Sequence, residues 1–176
     1  MRPCLAPDPH PHPPRLRAPA GTCDTHCHVI GPQRRYPFSE PRSYTPPDAP
    51  VETYSAVRET LGIDRSVIVQ PGAHGFDNTV TTDAIAVLGD SARGIAVVPP
   101  EITEAELVVL HDKGIRGLRL STLLSGGVGT DNIARMAEKV APLGWHILLH
   151  LKSADELPAL MPMIRRLPVD VVLDHM

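Results

Sequence analysis

The sequence predicts an α/β fold, a (β/α)8 or TIM barrel, of which about six of the eight βα units are present. Short apolar runs alternate with segments of helical periodicity, and this alternation is typical of a parallel sheet made of βαβ units. No Gly-x-Gly-x-x-Gly turn follows the first strand, which disfavours a doubly wound dinucleotide-binding sheet. Polar residues stand at the carboxyl ends of the strands, and in a barrel these ends converge on one pocket.

The first half of the chain contains three predicted strands and three predicted helices. The strands are the runs 23–29, 66–70 and 94–98, and the helices are 51–61, 80–88 and 104–113. Apolar residues at helical spacing run from Val51 to Leu61, and Gly62 ends this helix. Thr103 and Glu106 form a capping box, which predicts where the third helix begins.

The second half repeats the alternation. Strands are predicted at 116–120, 145–151 and 169–175, and helices at 131–140 and 157–167, with a glycine-rich loop at 125–129. The fourth helix is expected to be capped by Thr130 or Asp131. Pro158 fits the first turn of the fifth helix, whereas Pro162 predicts a kink or a late start.

Composition divides the chain into a tail and one domain. Residues 1–20 hold seven of the twenty prolines and have no hydrophobic periodicity, which predicts a disordered tail, and residues 21–176 form the incomplete barrel. A net charge of −3 gives neither a nucleic-acid patch nor a polybasic membrane signal. Three cysteines do not suggest a disulfide framework, and neither a membrane span nor a signal peptide is evident. We therefore expect a cytoplasmic protein that binds a small molecule.

The motif Asp24-Thr25-His26-Cys27-His28 is the strongest chemical signal in the sequence. Side chains alternate along a strand, so Asp24, His26 and His28 are expected on one face and Cys27 on the other. Two imidazoles that share a site either bind a cation or orient and polarise a substrate oxygen. The long loop after this strand carries three of the five Phe and Tyr residues, and loops of this length are usually functional.

Several segments together resemble the amidohydrolase-related TIM barrels of the 2-pyrone-4,6-dicarboxylate lactonase type. The resemblance runs from about Gly21 to the last residue. The segments are Asp24-Thr25-His26-Cys27-His28-Val29-Ile30-Gly31-Pro32, Arg42-Ser43-Tyr44, Val69-Gln70-Pro71, His74-Gly75, Asp77-Asn78, Gly114-Ile115-Arg116-Gly117-Leu118-Arg119, Gly144-Trp145-His146 and Leu173-Asp174-His175-Met176. Each segment alone is weakly specific, but their order and spacing fit the family.

The resemblance implies hydrolysis of a lactone ring, with His26, His28 and His175 around the scissile carbonyl. In that family an aspartate at the end of strand eight activates the water. The printed sequence stops after the histidine of strand six, so we expect this chain alone to be inactive and prone to aggregation. The resemblance also implies a role in the catabolism of aromatic compounds, and assembly into a homo-oligomer stays open.

Substrate binding is expected of Arg119, Tyr44, His74 and His150. A guanidinium at a strand end can hold a carboxylate with two hydrogen bonds, which suits a carboxylated lactone. The branch resemblance favours no metal; the wider superfamily implies Zn²⁺ or another divalent ion, here held by His26, His28, His150 and His175. Two other hypotheses stay open: a sugar-lactone isomerase or lactonase of the galactarolactone type, and an inactive truncated fragment.

Overall fold

The computed structural model describes residues 4–123 and 130–175. Six strands alternate with five α-helices in this part of the chain. The strands are β1 (Cys23–Cys27), β2 (Arg65–Val69), β3 (Ala92–Ala96), β4 (Ile115–Ser121), β5 (His146–His150) and β6 (Val171–Leu173). The helices are α1 (Val51–Leu61), α2 (Thr79–Leu88), α3 (Glu104–Asp112), α4 (Ile133–Val140) and α5 (Leu157–Ile164). The predicted glycine-rich loop at 125–129 lies outside the described residues.

All six strands are parallel and lie in the order β1-β2-β3-β4-β5-β6, each paired with its neighbours in sequence. In a flat sheet, β1 and β6 would be roughly 24 Å apart, at about 4.8 Å between neighbours. Instead, His26 of β1 lies 3.0 Å from Asp174, the residue that follows β6. The sheet is therefore curled into a partial barrel, which confirms the predicted fold class and excludes the doubly wound alternative.

The helix boundaries follow the signals in the sequence. Gly62 ends α1 in the left-handed conformation, at φ 73°, and Thr103 caps α3 in a complete capping box with Glu106. The prediction for α4 was wrong at its start: a 3₁₀ turn occupies 130–132, and Asn132 precedes the helix without a side-chain cap. Pro158 lies in the first turn of α5, and Pro162 lies inside the helix, which ends at Ile164 rather than Leu167.

The core lies between the sheet and the helices, where Leu118, Ile147 and Leu149 are fully buried against Met136 and Val140 of α4. Burial of this kind supplies the main driving force for folding. The last unit is different, because neither α5 nor β6 contains a fully buried residue. Residues 4–22 contain no helix or strand, and no described helix is long and apolar enough to cross a membrane.

An irregularity in β1 changes which side chains share a face. Asp24 pairs with Ser66 and Cys27 with Ile68, so three steps along β1 match two along β2. Such a bulge breaks the alternation of side chains. The prediction that Asp24 faces the same way as His26 was therefore wrong: its carboxylate accepts a hydrogen bond from the Tyr54 hydroxyl of α1 at 2.8 Å.

Candidate active site

Four histidines meet where the strands end. The ring of His26 lies 5.1 Å from that of His28 and 5.2 Å from that of His175, between centroids. The ring of His175 lies in turn 4.8 Å from that of His150. The structure thus brings together the three residues expected around the carbonyl and one of those expected to bind substrate.

Asp174 stands at the centre of this cluster, although no role is predicted for it from the sequence. Its side chain is 5% exposed; one carboxylate oxygen lies 3.0 Å from His26 Nδ1, and the other accepts a hydrogen bond from Arg119 at 2.7 Å. His175 Nε2 lies 3.7 Å from the same carboxylate. Strand β6 ends at Leu173 and His175 has a φ of 55°, so both residues reach the cluster instead of pointing to opposite faces of the sheet.

His28 is fixed by the backbone of the neighbouring strand. Its Nδ1 lies 2.7 Å from the carbonyl oxygen of Val69 at the end of β2. A carbonyl can only accept a hydrogen bond, so Nδ1 carries the proton. In the neutral ring, Nε2 is then a hydrogen-bond acceptor.

Burial keeps the imidazoles of His26, His28 and His150 neutral. It lowers the pKa of His28 to about 4, and the positive charge of Arg119 acts in the same direction. Burial is also the largest influence on His26 and His150, and it lowers the pKa of both. The carboxylate of Asp174 opposes this shift in His26 without reversing it. At neutral pH His26, His28 and His150 are therefore neutral rings beside one carboxylate and one guanidinium.

These protonation states bear on the expected role of the first-strand pair. Polarising a carbonyl oxygen requires a hydrogen-bond donor. Neutral His26 and His28 both place their Nδ1 against an acceptor, so their Nε2 atoms offer lone pairs and no hydrogen. His26 Nε2 is buried and has no hydrogen-bond partner in the described part of the chain. Both atoms suit a water molecule or a cation better than a carbonyl oxygen.

Arg119 lies within the cluster but is largely engaged. Its residue is 4% exposed, and one terminal nitrogen contacts both Asp174, at 2.7 Å, and His150 Nδ1, at 3.0 Å. Its Nε is buried and has no partner among the described residues. The guanidinium can therefore hold a ligand only with the donors that Asp174 and His150 leave free.

The other two expected substrate ligands differ from each other. Tyr44 lies against the backbone of Gly72 and Ala73 and within reach of the charge of Arg119, and burial raises the pKa of its hydroxyl. His74 is 2% exposed, and its ring nitrogens lie 3.4 Å from the Gly31 amide and 3.2 Å from the Pro37 carbonyl. Both ring nitrogens of His74 thus contact the backbone of the long loop, which this side chain braces.

The same atoms can be tested as metal ligands. Metal-binding histidines commonly use one nitrogen for the ion and bond the other to a carboxylate or carbonyl. His28 bonds Nδ1 to the Val69 carbonyl in this way, and His26 Nδ1 lies 3.0 Å from the Asp174 carboxylate. Among the described residues, His26, Asp174 and His175 offer ligand atoms within 4.8 Å of one another. The donor set thus fits a divalent cation, which would supply Lewis-acid activation of water or carbonyl. The positive charge of the Arg119 guanidinium, 2.7 Å from Asp174, opposes the binding of a cation there.

The sequence of this chain is similar to those of known hydrolases. The sequence profile of the Amidohydrolase family matches residues 23–176. The chain belongs to the amidohydrolase family. Within this family, the chain is 41% identical over 169 residues to 2-pyrone-4,6-dicarboxylate hydrolase of Comamonas testosteroni. The aligned region covers 95% of this chain and 55% of the relative. The chain is 37% identical over 175 residues to 4-sulfomuconolactone hydrolase of Hydrogenophaga intermedia. This aligned region covers 98% of this chain and 57% of the relative.

The fold of this chain is also similar to that of a solved structure. The crystal structure of a probable 2-pyrone-4,6-dicarboxylic acid hydrolase from Acinetobacter baumannii, with citric acid bound, superposes with a TM-score of 0.78 at 31% identity. The match covers 88% of this chain and 58% of that one. The chain therefore spans a little over half the length of the relatives it matches.

Proposed function

We propose that this chain carries the lactone-binding half of a hydrolase that opens the ring of a small carboxylated lactone, similar to 2-pyrone-4,6-dicarboxylate. The observation that supports this most is the cluster of His26, His28, His150 and His175 around Asp174 and Arg119 at the carboxyl ends of the strands. Two relatives named as hydrolases of such lactones support the substrate class. A third relative crystallised with citric acid, which is also a polycarboxylate.

The substrate carboxylates are held by cationic and hydroxyl donors in this proposal. The free donors of Arg119 supply the charge, and Tyr44 and His150 complete the pocket beside it. His175, with a side chain 58% exposed, is the ring that reaches the scissile carbonyl most readily. His26 and His28 line the other side of the reacting bond. The strand-eight aspartate of the family is the proposed base for the water.

We further propose that the site works without a resident metal. The guanidinium of Arg119 lies 2.7 Å from Asp174 and lowers the pKa of His26, His28 and His150, although burial is the larger cause in each. A field that disfavours a proton on these rings also disfavours a divalent cation among them. Zn²⁺ is the alternative. Metal analysis of the purified chain separates the two: a stoichiometric divalent ion would contradict the metal-free proposal.

The test of function is a ring-opening assay followed by loss of the pyrone absorbance. Because the chain spans a little over half of its relatives, the assay uses two polypeptides: the printed chain, and the same chain joined to the remaining C-terminal part of the Comamonas relative. We expect the extended polypeptide to open 2-pyrone-4,6-dicarboxylate and the printed chain to stay near the uncatalysed rate. No ring opening by either would contradict the proposal, and preferential conversion of an aldarolactone would favour the galactarolactone class.

We propose a cytoplasmic protein whose partner is a small molecule rather than nucleic acid or a membrane. Assembly into a homo-oligomer is compatible with the fold, and sedimentation of the extended polypeptide would measure it.

A further inference from the structure

The contact between Asp174 and His26 fixes where the hydrogen of the imidazole lies. Asp174 is 5% exposed and accepts a hydrogen bond from Arg119 through Oδ2 at 2.7 Å, so it is a carboxylate with acceptor atoms only. Its Oδ1 faces His26 Nδ1 at 3.0 Å. A neutral imidazole meets a carboxylate favourably only through its N–H. His26 therefore carries its hydrogen on Nδ1.

The backbone around His26 keeps the ring in this orientation. The amide of His26 donates to Asp24 Oδ1 at 3.1 Å, and the other oxygen of Asp24 receives the Tyr54 hydroxyl. The bulge of β1 is thus tied to α1 on one side, while the ring is tied to β6 on the other. Rotation of the ring would remove the contact with Asp174 and leave Arg119 as the one hydrogen-bond donor to that buried carboxylate among the described residues.

The remaining nitrogen, Nε2, is buried among the rings of His28 and His175 and has no partner among the described residues. We propose that Asp174 is a positioning residue that holds His26 as the Nδ1–H tautomer, so that Nε2 accepts a hydrogen bond from the water that attacks the lactone. This role rests on the proposed lactone hydrolysis. In this proposal His26 is the ring that holds the attacking water, and His175 is the ring that faces the carbonyl.

The substitution Asp174→Asn tests the tautomer with little change of shape. Arg119 has only donors, so the carbonyl of the new amide must face Arg119, and its NH₂ must then face His26 Nδ1. That arrangement forces the hydrogen of His26 onto Nε2. In another Asp–His pair the same exchange preserves the geometry and reverses the tautomer. Asp24→Asn is the matched control, because Asp24 accepts its hydrogen bond from the backbone amide of His26.

The readout is the ¹⁵N spectrum of the histidine rings in the labelled 176-residue chain at pH 8, with His26 assigned by loss of its signals in His26→Gln. In the unaltered chain we expect a protonated Nδ1 and an unprotonated Nε2 for His26. Asp174→Asn should exchange the two states, and Asp24→Asn should leave them unchanged. A hydrogen on Nε2 of His26 in the unaltered chain, or no exchange in Asp174→Asn with the other ring signals retained, would overturn the proposal.

Turnover of the extended polypeptide adds the functional readout. Asp174→Asn should lower kcat by about 10²-fold or more and change KM by less than about threefold, as expected for a group that acts through an oriented imidazole. An equal loss in Asp24→Asn would assign Asp174 a structural role and contradict the proposal. Failure of the unaltered polypeptide to open any lactone would contradict the proposed function, while the ring spectrum would still decide the role of Asp174.

Discussion

Arg119 and Asp174 form a buried ion pair, with 2.7 Å between Arg119 Nη2 and Asp174 Oδ2 and side-chain exposures of 4% and 5%. The pair joins β4 to the end of β6 across the curled sheet. His26 Nδ1 lies 3.0 Å from Asp174, and His150 Nδ1 is hydrogen-bonded to Arg119. Removal of one partner would leave the other as an uncompensated charge that is buried away from water. The pair is thus the structural centre of the cluster.

Arg119→Met should destabilise the chain by about 3–5 kcal/mol, the usual cost of leaving a buried charge without its partner. Urea unfolding followed by circular dichroism measures the change. Arg35→Met is the matched control: Arg35 pairs with Asp83 at 2.8 Å, but the side chains are 66% and 38% exposed. An exposed pair of this kind is worth less than about 1 kcal/mol. Equal losses in the two variants would show that Asp174 is not a buried charge.

The lowered pKa of His28 predicts that the folded chain loses stability in weak acid. Its pKa is about 4 in the folded chain because of burial, against about 6.5 when unfolded, so the unfolded state binds more protons between these values. Stability should therefore fall as pH falls from 6.5 to 4, by about 3 kcal/mol for this group alone. Unfolding at pH 7 and pH 4.5 measures the slope, and His28→Gln should flatten it. An unchanged slope in His28→Gln would mean that His28 is not the group responsible.

Cys27 should be unreactive, although it lies between the two histidines. Burial raises the pKa of its thiol to about 12, and its Sγ contacts the carbonyl oxygen of Val67 at 3.4 Å, away from the ring cluster. Because the thiolate is the reactive form, iodoacetamide at pH 8 should modify Cys27 at least about 10²-fold more slowly than exposed Cys4. Peptide mass spectrometry measures both rates in one sample. Similar rates in the folded chain would contradict the placement of Cys27, and similar rates in urea are the expected control.

The sequence predicts the regular parts of this fold well because local physics determines them. The capping box of Thr103 and Glu106 and the stop at Gly62 appear as expected. The convergence of strand ends was also predicted, since parallel strands in chain order bring their carboxyl ends together. The family and its lactone-hydrolase relatives were likewise anticipated from short motifs, which the profile match and the identities confirm.

Other features depend on long-range contacts that no local pattern encodes. Periodicity placed Asp24 beside His26, but the bulge in β1 turns it toward Tyr54. The sequence predicts no role for Asp174, which belongs there only to a motif of the resemblance, because its partners Arg119 and His26 lie 55 and 148 positions earlier in the chain. His74 resembled a pocket residue, yet both of its nitrogens bond to the backbone of the long loop.

His28→Ala in the extended polypeptide should lower turnover by about 10²-fold or more, the usual effect of losing an oriented hydrogen-bonding group in an active site. His146→Ala is the control, because His146 begins β5 and His150, in the cluster, ends it. Steady-state ring opening of 2-pyrone-4,6-dicarboxylate measures both variants. Turnover that survives in His28→Ala would reduce the His-x-His pair to a structural element.

The central claim, that the histidine cluster binds the lactone, is tested most directly by titrating the ¹⁵N-histidine-labelled 176-residue chain with 2-pyrone-4,6-dicarboxylate. The nine histidines provide internal controls. The account predicts saturable shifts of the ring signals of His26, His28, His150 and His175, with those of His10, His12, His111 and His146 unmoved. Saturable shifts confined to His111 or His146, or no shift in any ring at millimolar ligand, would contradict it.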